Sequence, residues 1–410
     1  MANNMCNETQ TKKKILLITP MLHQGGFERI CVLTARLLAP DHEVVIAVFS
    51  MEDIAFDISG LKVVDLNLKA REGRLGKLLN LLKRGLRLTM LQKREGTDIS
   101  YSFGMTANMA NALSFGAKKK ISACHSFEEI KNKWYMELTG RRTDRVLCCS
   151  EKMADLVKET YGFSNMTPLW NPCDLDSLLA QSRLGADEDI AFFRGQERVL
   201  VSMGREDDVK GFWHLIRVFR RINEQEKQTR LAIIGEGEFA EYKKLAGELG
   251  LEEKVLFTGL KKNPFPYLRE SDIYILTSLS EGLPNALVEA LALSLPIVSV
   301  NCLSGPAEIL HGDFRAAESQ KGIFKADYGI LTPVLSPEKN LTVSWEEAAG
   351  RDRERRIRLE EAEESLAEAV LELLRDQKLY DDYRSKAAVR AKAFSAGNYR
   401  EGLLSCMEKL

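Results

Sequence analysis

The sequence predicts an α/β protein of two doubly wound parallel-sheet domains, and three observations predict it. Short apolar, β-rich runs alternate with amphipathic helical runs along most of the chain. The alternation pauses in a polar stretch and starts afresh near Arg198. Glycines and isolated charges gather in loops where a strand gives way to a helix, which is where ligands bind in open parallel sheets. At 410 residues, 45% of them hydrophobic, the chain has material for two cores.

Taken in order, "KILLITP" reads as the first strand, "ERICVLTARLLA" as its helix and "HEVVIAVFS" as the second strand. A basic helix follows, then strand "DISYSF", helix "TANMANALSF", and strands "KKISACHS" and "DRVLCCS". These make a first domain over residues 1–172. Residues 173–197, which include "AQSRLGADEDIAFFRGQE", read as an interdomain linker. The pattern restarts over residues 198–388 with "RVLVSMG", "FWHLIRVFRRINEQ", "RLAIIGEG", "EYKKLAGELG", "KVLFTG", "PFPYLRES", "DIYILTS", "NALVEALALS" and "PIVSV". Residues 389–410, ending "FSAGNYREGLLSCMEKL", are expected to cross back to the first domain as a helix. Two such sheets imply a central cleft between the domains.

The eight cysteines are scattered without C-x-x-C pairs, which argues against a zinc or disulfide scaffold and fits a reducing cytoplasm. "ILLITPML" is short and broken by Pro20, so it reads as a strand, with no signal or membrane-spanning segment expected. The net charge of −1 hides an asymmetry: residues 1–170 carry 25 Lys and Arg against 18 Asp and Glu, and the rest carries 33 against 41. Much of the positive excess lies in "KAREGRLGKLLNLLKRGLRLTMLQKRE", residues 69–95, where leucines recur at helical spacing. Two readings stay open for it, a solvated helix packed on the sheet or a basic amphipathic helix on an anionic membrane surface. No nucleic-acid partner is expected.

The loops after strands carry the candidate chemistry. Gly25 and Gly26 lie between a strand and a helix, where a backbone approaches a phosphate closely, though a plain tight turn explains them equally well alone. Arg205 and Lys210 flank another strand-to-helix loop and suit a diphosphate, Arg as a fork of donors and Lys as a mobile charge. "GEGEFA" mimics a dinucleotide fingerprint, but it lies deep in the chain instead of in a first βαβ unit. His125 ends a strand, a place that suits either structure or substrate contact. Asp174 and Asp176 form an Asp-x-Asp in a turn, which argues against a metal. In "SEGLPNALVEALALSLP", Glu281 precedes a helix and Glu289 lies about five residues inside it, with amides of Gly282, Leu283 and Asn285 between them.

In combination, "GREDDVKG", "IIGEGEF", "VLFTGL", "SDIYILTSLSEGLPNALVEALALSLPIVSV" and "SGPAEIL" resemble the family 4 retaining glycosyltransferases of the GT-B fold. The N-terminal "QGGFERICVLTARLLAPDHEVVIAVFS" is similar to that family's first βαβ unit, so the resemblance spans nearly the whole chain. It implies that Arg205 and Lys210 hold the donor diphosphate, Glu289 the nucleotide ribose and Glu281 the donor sugar. It places His125 beside the transferred sugar, and Gly25 and Gly26 near phosphate or acceptor. Two residues depart from the family pattern: Leu283 stands where Phe is frequent, and Ser294, expected to be neutral in a turn, where Gly is frequent.

With the two glutamates as recognition groups, the resemblance implies front-face substitution without metal or cofactor, the nucleotide sugar being a co-substrate. The motif flavour resembles bacterial enzymes of capsule, lipopolysaccharide or lipid-linked glycan assembly. It implies a UDP-hexose or UDP-N-acetylhexosamine donor, a saccharide or polyprenyl-diphosphate-linked acceptor, and a cytoplasmic protein peripheral on the inner membrane face. Three rivals stay open: a nucleotide-sugar epimerase of the same fold, a nicotinamide oxidoreductase resting on "GEGEFA", and a noncatalytic sugar-nucleotide-binding subunit.

Overall fold

The structure, a computed structural model, describes residues 12–23, 25–347 and 355–410. Packing divides the chain into two compact units, Met1–Pro172 with Ala396–Leu410, and Cys173–Ser395.

The first unit holds strands β1 (Lys14–Thr19), β2 (Glu43–Val48), β3 (Lys62–Asp65), β4 (Ile99–Ser102), β5 (Lys119–Cys124), β6 (Arg145–Cys148) and β7 (Met166–Pro168). They form one parallel sheet in the order β3-β2-β1-β4-β5-β6-β7. Its helices are α1 (Gly26–Leu38), α2 (Arg74–Glu95), α3 (Met105–Ala112), α4 (Phe127–Lys131), α5 (Lys133–Arg142) and α6 (Glu151–Tyr161). Successive side chains of a strand face opposite ways, and β1 shows the consequence. Ile15 and Leu17 pack with α1 and the C-terminal helix, while Leu16 and Ile18 pack with α2 and α3. Burial on both faces is why the strand reads as an unbroken apolar run.

The C-terminal helix (Ala396–Glu408) belongs to this unit. Tyr399, Leu403 and Met407 enter its core. The Tyr399 hydroxyl lies 2.9 Å from Thr34 Oγ1, and Arg400 Nε donates to the Leu37 carbonyl at 3.0 Å.

The second unit opens with α7 (Leu175–Gln181), followed by β8 (Arg198–Met203), α8 (Phe212–Gln225), β9 (Thr229–Ile234), α9 (Ala240–Glu248) and β10 (Val255–Gly259). Then come α10 (Phe265–Arg269), β11 (Ile273–Leu276), α11 (Asn285–Ala292), β12 (Ile297–Val300), α12 (Pro306–Leu310) and α13 (Phe314–Glu318). Strands β13 (Phe324–Lys325) and β14 (Ile330–Thr332), a separate antiparallel pair (Trp345–Glu347 with Arg355–Ile357) and helices α14 (Glu361–Arg375) and α15 (Gln377–Ala391) follow. The sheet runs β10-β9-β8-β11-β12-β14-β13, parallel except for the β13–β14 edge pair.

The stretch 173–197, read from the sequence as a linker, is folded into this unit. Ile190 and Phe193 are buried, Asn263 Nδ2 donates to the Gln181 carbonyl at 2.8 Å, and Lys261 Nζ lies 2.8 Å from both Asp187 and Asp189. Its polar composition concealed four buried apolar residues, Cys173, Leu178, Ile190 and Phe193, and a set of specific ion pairs. Residues 389–395 also stay here, with Cys173 N–H donating to the Phe394 carbonyl at 2.8 Å.

Helix α8 is tied to α14 by a buried ionic cluster. Glu363 accepts from Arg217 Nε at 2.9 Å and lies 2.7 Å from His214 Nδ1, all three residues being buried. Burial opposes ionisation of Glu363, but the hydrogen bonds from His214 and Arg217 outweigh it and hold the carboxyl below its usual range. No described helix is long and apolar enough to cross a membrane.

Candidate functional site

In a doubly wound sheet the crevice forms where the strand order reverses. In the second unit that point lies between β8 and β11, which are hydrogen-bonded neighbours. The loop after β8 carries Arg205 and Lys210, and the loop after β11 carries Glu281 and leads into α11. The fold thereby brings two motifs distant in sequence onto one rim.

The loops are fastened to each other by two hydrogen bonds to backbone carbonyls. Thr277 Oγ1 donates to the Lys210 carbonyl at 2.8 Å, and Leu279 N–H to the Val209 carbonyl at 2.8 Å. Gly211 is left-handed at φ 61°, and a Cβ there would lie 2.5 Å from the Thr277 carbonyl oxygen. Only glycine closes the loop this tightly. The Lys210 stem lies across Gly204, and its Nζ reaches Glu281 Oε1 at 2.7 Å. With Lys210 27% and Glu281 13% exposed, the pair is shielded yet reachable. Arg205 is exposed in the same loop, with no ion pair among the described residues.

Helix α11 starts just after Pro284, with Asn285 as its first residue. The Gly282 carbonyl accepts from Ser304 Oγ at 2.6 Å, and Gly305 abuts Pro284 so closely that a Cβ would lie 2.5 Å from the ring. This fixes the turn from below. Among the described residues no acceptor engages the amides of Gly282 and Leu283, which leaves them as donors at a helix N-terminus. Glu289, the fifth residue of α11, is buried. Burial pushes the Tyr274 phenol well up, and the charges of Glu281 and Glu289 push it further, so both carboxylates act on one buried ring. Ser294 departs from expectation. It sits at φ 62° just past the end of α11, the left-handed position that glycine favours, so the residue is strained and not neutral.

The "GEGEFA" loop has another use. Glu206 Oε2 accepts the Phe239 N–H at 2.8 Å, and a Cβ on Gly237 would lie 2.3 Å from Glu206 Cβ. A carboxylate already occupies the place where a dinucleotide would bring its pyrophosphate, which counts against the oxidoreductase reading. Asp174 caps α7, accepting the Ser177 N–H at 3.1 Å. Among the described residues no cluster of three or more His, Cys, Asp or Glu is arranged to hold a metal.

In the first unit the reversal falls between β1 and β4. Gly25 caps α1 and Gly26 begins it. The Glu28 carboxylate folds back over Gly25, where a Cβ would lie 2.1 Å from its Oε2. The Phe27 ring covers Gly104 after β4, and Phe103 stacks on His125 with centroids 6.3 Å apart. Gly25, Gly26 and His125 thus share one rim, with the β4 loop between them.

The His125 ring nitrogens are buried, and burial pushes the imidazole down to about 4, with Asn171 opposing, so it is neutral near pH 7. Below it Glu129 Oε2 accepts the His125 N–H at 2.7 Å. Burial raises the Glu129 carboxyl to about 7 against the hydrogen bonds that it accepts. Sequence reasoning passed over Glu129, although Ser126-x-x-Glu129 is a capping-box pattern at the start of α4. Glu28 carried no such signal.

Residues 186–320 match the model of glycosyl transferases group 1, and residues 24–177 match that of glycosyltransferase family 4. The chain is 35% identical over 197 residues to an uncharacterized glycosyltransferase of Methanocaldococcus jannaschii, covering 48% of this chain and 46% of that relative. It therefore spans about half of that relative's length. It is 27% identical over 399 residues to the N-acetylgalactosamine-N,N'-diacetylbacillosaminyl-diphospho-undecaprenol 4-alpha-N-acetylgalactosaminyltransferase of Campylobacter jejuni, covering 93% of this chain and 96% of that relative. Among solved structures it is similar in fold to Anabaena HepE in complex with UDP, with TM-score 0.71 and 17% identity over 97% of this chain and all of that one.

Proposed function

We propose that the chain is a glycosyltransferase that moves a hexosyl or N-acetylhexosaminyl group from a UDP-sugar, with retention of configuration, to a lipid-linked saccharide in bacterial surface-glycan assembly. The observation that carries this reading is the Lys210–Glu281 pair, 2.7 Å apart, set before the N-terminus of α11 at the topological switch point. A cation and free helix amides suit a diphosphate, a carboxylate suits sugar hydroxyls, and the buried Glu289 suits a ribose. The lipid-linked acceptor is supported by the name of the Campylobacter relative, and the UDP donor by the ligand named with the Anabaena structure.

In the proposed step the acceptor hydroxyl oxygen bonds to the anomeric carbon on the face from which the diphosphate departs. The bond from that carbon to the diphosphate oxygen breaks, and the hydroxyl proton passes to the same departing oxygen. Arg205, Lys210 and the amides of Gly282, Leu283 and Asn285 stabilise charge that grows on the leaving group. Glu281 orients the sugar and keeps Lys210 over it. His125, neutral near pH 7, offers a hydrogen bond to the sugar without adding charge. The Glu28 carboxylate over Gly25 fits acceptor hydroxyls better than a phosphate, so the Gly25–Gly26 turn is assigned to the acceptor.

The test offers a panel of nucleotide sugars with polyprenyl-diphosphate saccharides and reads products by mass spectrometry. One UDP-sugar that glycosylates such an acceptor with the α or β configuration of the donor retained is the expected result. Donor bound but never transferred would favour a binding subunit, and donor epimerised or hydrolysed without acceptor would favour the epimerase.

A further inference from the structure

The Glu129 carboxyl is buried, has no part in the proposed step, and is tied to the residue that the step places beside the sugar. His125 is the first residue past β5, whose ladder with β6 ends at Cys124 and Cys148. From there on no neighbouring strand fixes the backbone. Glu129 takes over that role, with Oε2 accepting the His125 N–H at 2.7 Å and the Ser126 N–H at 3.4 Å. A side chain four residues further along thereby closes the turn that carries the imidazole, whose ring stacks on Phe103.

The polar hydrogens near this carboxyl point at it. Asn108 Nδ2 faces the Ala123 carbonyl at 2.6 Å and the Tyr135 hydroxyl at 2.7 Å, and its Oδ1 accepts from Ser102 Oγ at 2.7 Å. A carbonyl oxygen only accepts, so the amide must stand this way round, and the Tyr135 oxygen receives an Asn108 hydrogen. The Tyr135 hydrogen is left for Glu129 Oε1, 3.5 Å away. The Cys124 thiol also bonds to the carboxyl. A chain of donors thus runs from β4 and α3 and ends on Glu129, a direction that suits a carboxylate and opposes an added proton.

The titratable groups around Glu129 are Cys124 of β5, Cys148 and Cys149 at the end of β6, Tyr135 of α5 and His125 itself. The bond to Cys148 and burial hold the Cys124 thiol well up, and burial does the same to the Tyr135 phenol, so both are neutral near pH 7. On α4 itself, Glu128 and Lys131 are exposed and pair with each other at 2.8 Å. Glu129 has no ion pair among the described residues.

We propose that Glu129 is the positioning residue for His125: as a carboxylate it holds the His125–Ser126 turn in the geometry that presents the ring to the donor sugar, and on protonation its hold weakens. The inference rests on the reading of His125 as a sugar contact. Hydrogen bonds to a charged acceptor are roughly twice as strong as neutral ones, and a displacement of about 1 Å at a reacting site costs about 100-fold in rate. Burial sets the carboxyl at about 7, so the change of state falls where such an enzyme works.

Two measurements test this, and the first needs no substrate. In the full chain labelled with 13C,15N-histidine, which holds five histidines, the His125 signals are assigned by their loss in His125→Ala. Both the amide and the ring signal of His125 should shift through about pH 7 in the wild type, although the ring itself titrates near 4, and neither should do so in Glu129→Gln. A ring signal that stays still in the wild type, or moves alike in both proteins, would overturn the proposal.

The second measurement is UDP release with the donor and acceptor that the nucleotide-sugar panel finds productive. Glu129→Gln, which imitates the neutral acid, should lower kcat about tenfold or more at pH 8, with donor KM within a few-fold of wild type and Tm no lower. The wild-type kcat should fall toward the level of the variant as pH drops from 8 to 6, and that of the variant should stay flat. In a His125→Ala background the same substitution should cost less than about twofold, because the two residues act as one. An equal cost in both backgrounds would overturn the proposal and leave His125 in the site. A His125→Ala protein with wild-type kcat would remove His125 from the site, and the proposal with it.

Discussion

Lys210 and Glu281 lie 71 residues apart in sequence, yet their charged atoms meet at 2.7 Å, because β8 and β11 are neighbours and the Thr277 hydroxyl and the Leu279 N–H hold the other loop by its carbonyls. The pair is a unit, and its members should fail as one. Lys210→Ala should lower turnover by about 100- to 1,000-fold, the usual loss when one preorganised group facing developing charge is removed. Lys210→Ala with Glu281→Ala should lose little more than the worse single variant, as coupled residues do. A steady-state double-mutant cycle checks this, and losses that multiply would show that the two act independently.

Glu289 is buried in α11 and is assigned to the nucleotide and not to the bond that breaks. Glu289→Gln, which keeps the shape, should raise the KM for the donor about tenfold or more and leave kcat within a few-fold of wild type. A fall in kcat at unchanged KM would move Glu289 into the chemistry.

The Glu129 carboxyl is raised by burial to about 7, above its ordinary value, so its protonated form favours the folded state. The stability it contributes is present below the ordinary carboxylate range and is lost as pH rises through about 7. His125, lowered to about 4, works the other way: its contribution is present above the ordinary histidine value and is lost as pH falls toward 4. Glu129→Gln carries no ionisable group at this position, so its melting temperature relative to wild type should climb between pH 5 and about pH 7 and level off above it. A difference that stays flat across that range would remove the buried charge from the account.

Ser294 occupies a left-handed position at φ 62°. Ser294→Gly should relieve that strain and stabilise the protein by about 1 kcal/mol, seen as a rise of a few degrees in Tm. Glycine also loosens the unfolded chain, which keeps the gain modest. A lower Tm would mean that the Ser294 side chain makes a compensating contact.

The sequence by itself determined the alternation of strands and helices, because a parallel sheet covered on both faces makes its strands continuous apolar runs such as "ILLI" in β1. It also placed Arg205, Lys210 and Glu281 in loops after strands and Glu289 in the helix that follows, positions that local patterns mark. One local signal was legible and went unused, the capping box ending at Glu129, and another, Ser294 at a glycine-like position after a helix, was noticed but expected to be neutral. What only the tertiary structure decided is adjacency and burial. Nothing local says that β8 pairs with β11, that Glu206 fills the "GEGEFA" turn, or that Ile190 and Phe193 fold a polar stretch into the second unit. Those depend on contacts between residues far apart in the chain, and the energy of a buried charge is set by what surrounds it, not by its neighbours in sequence.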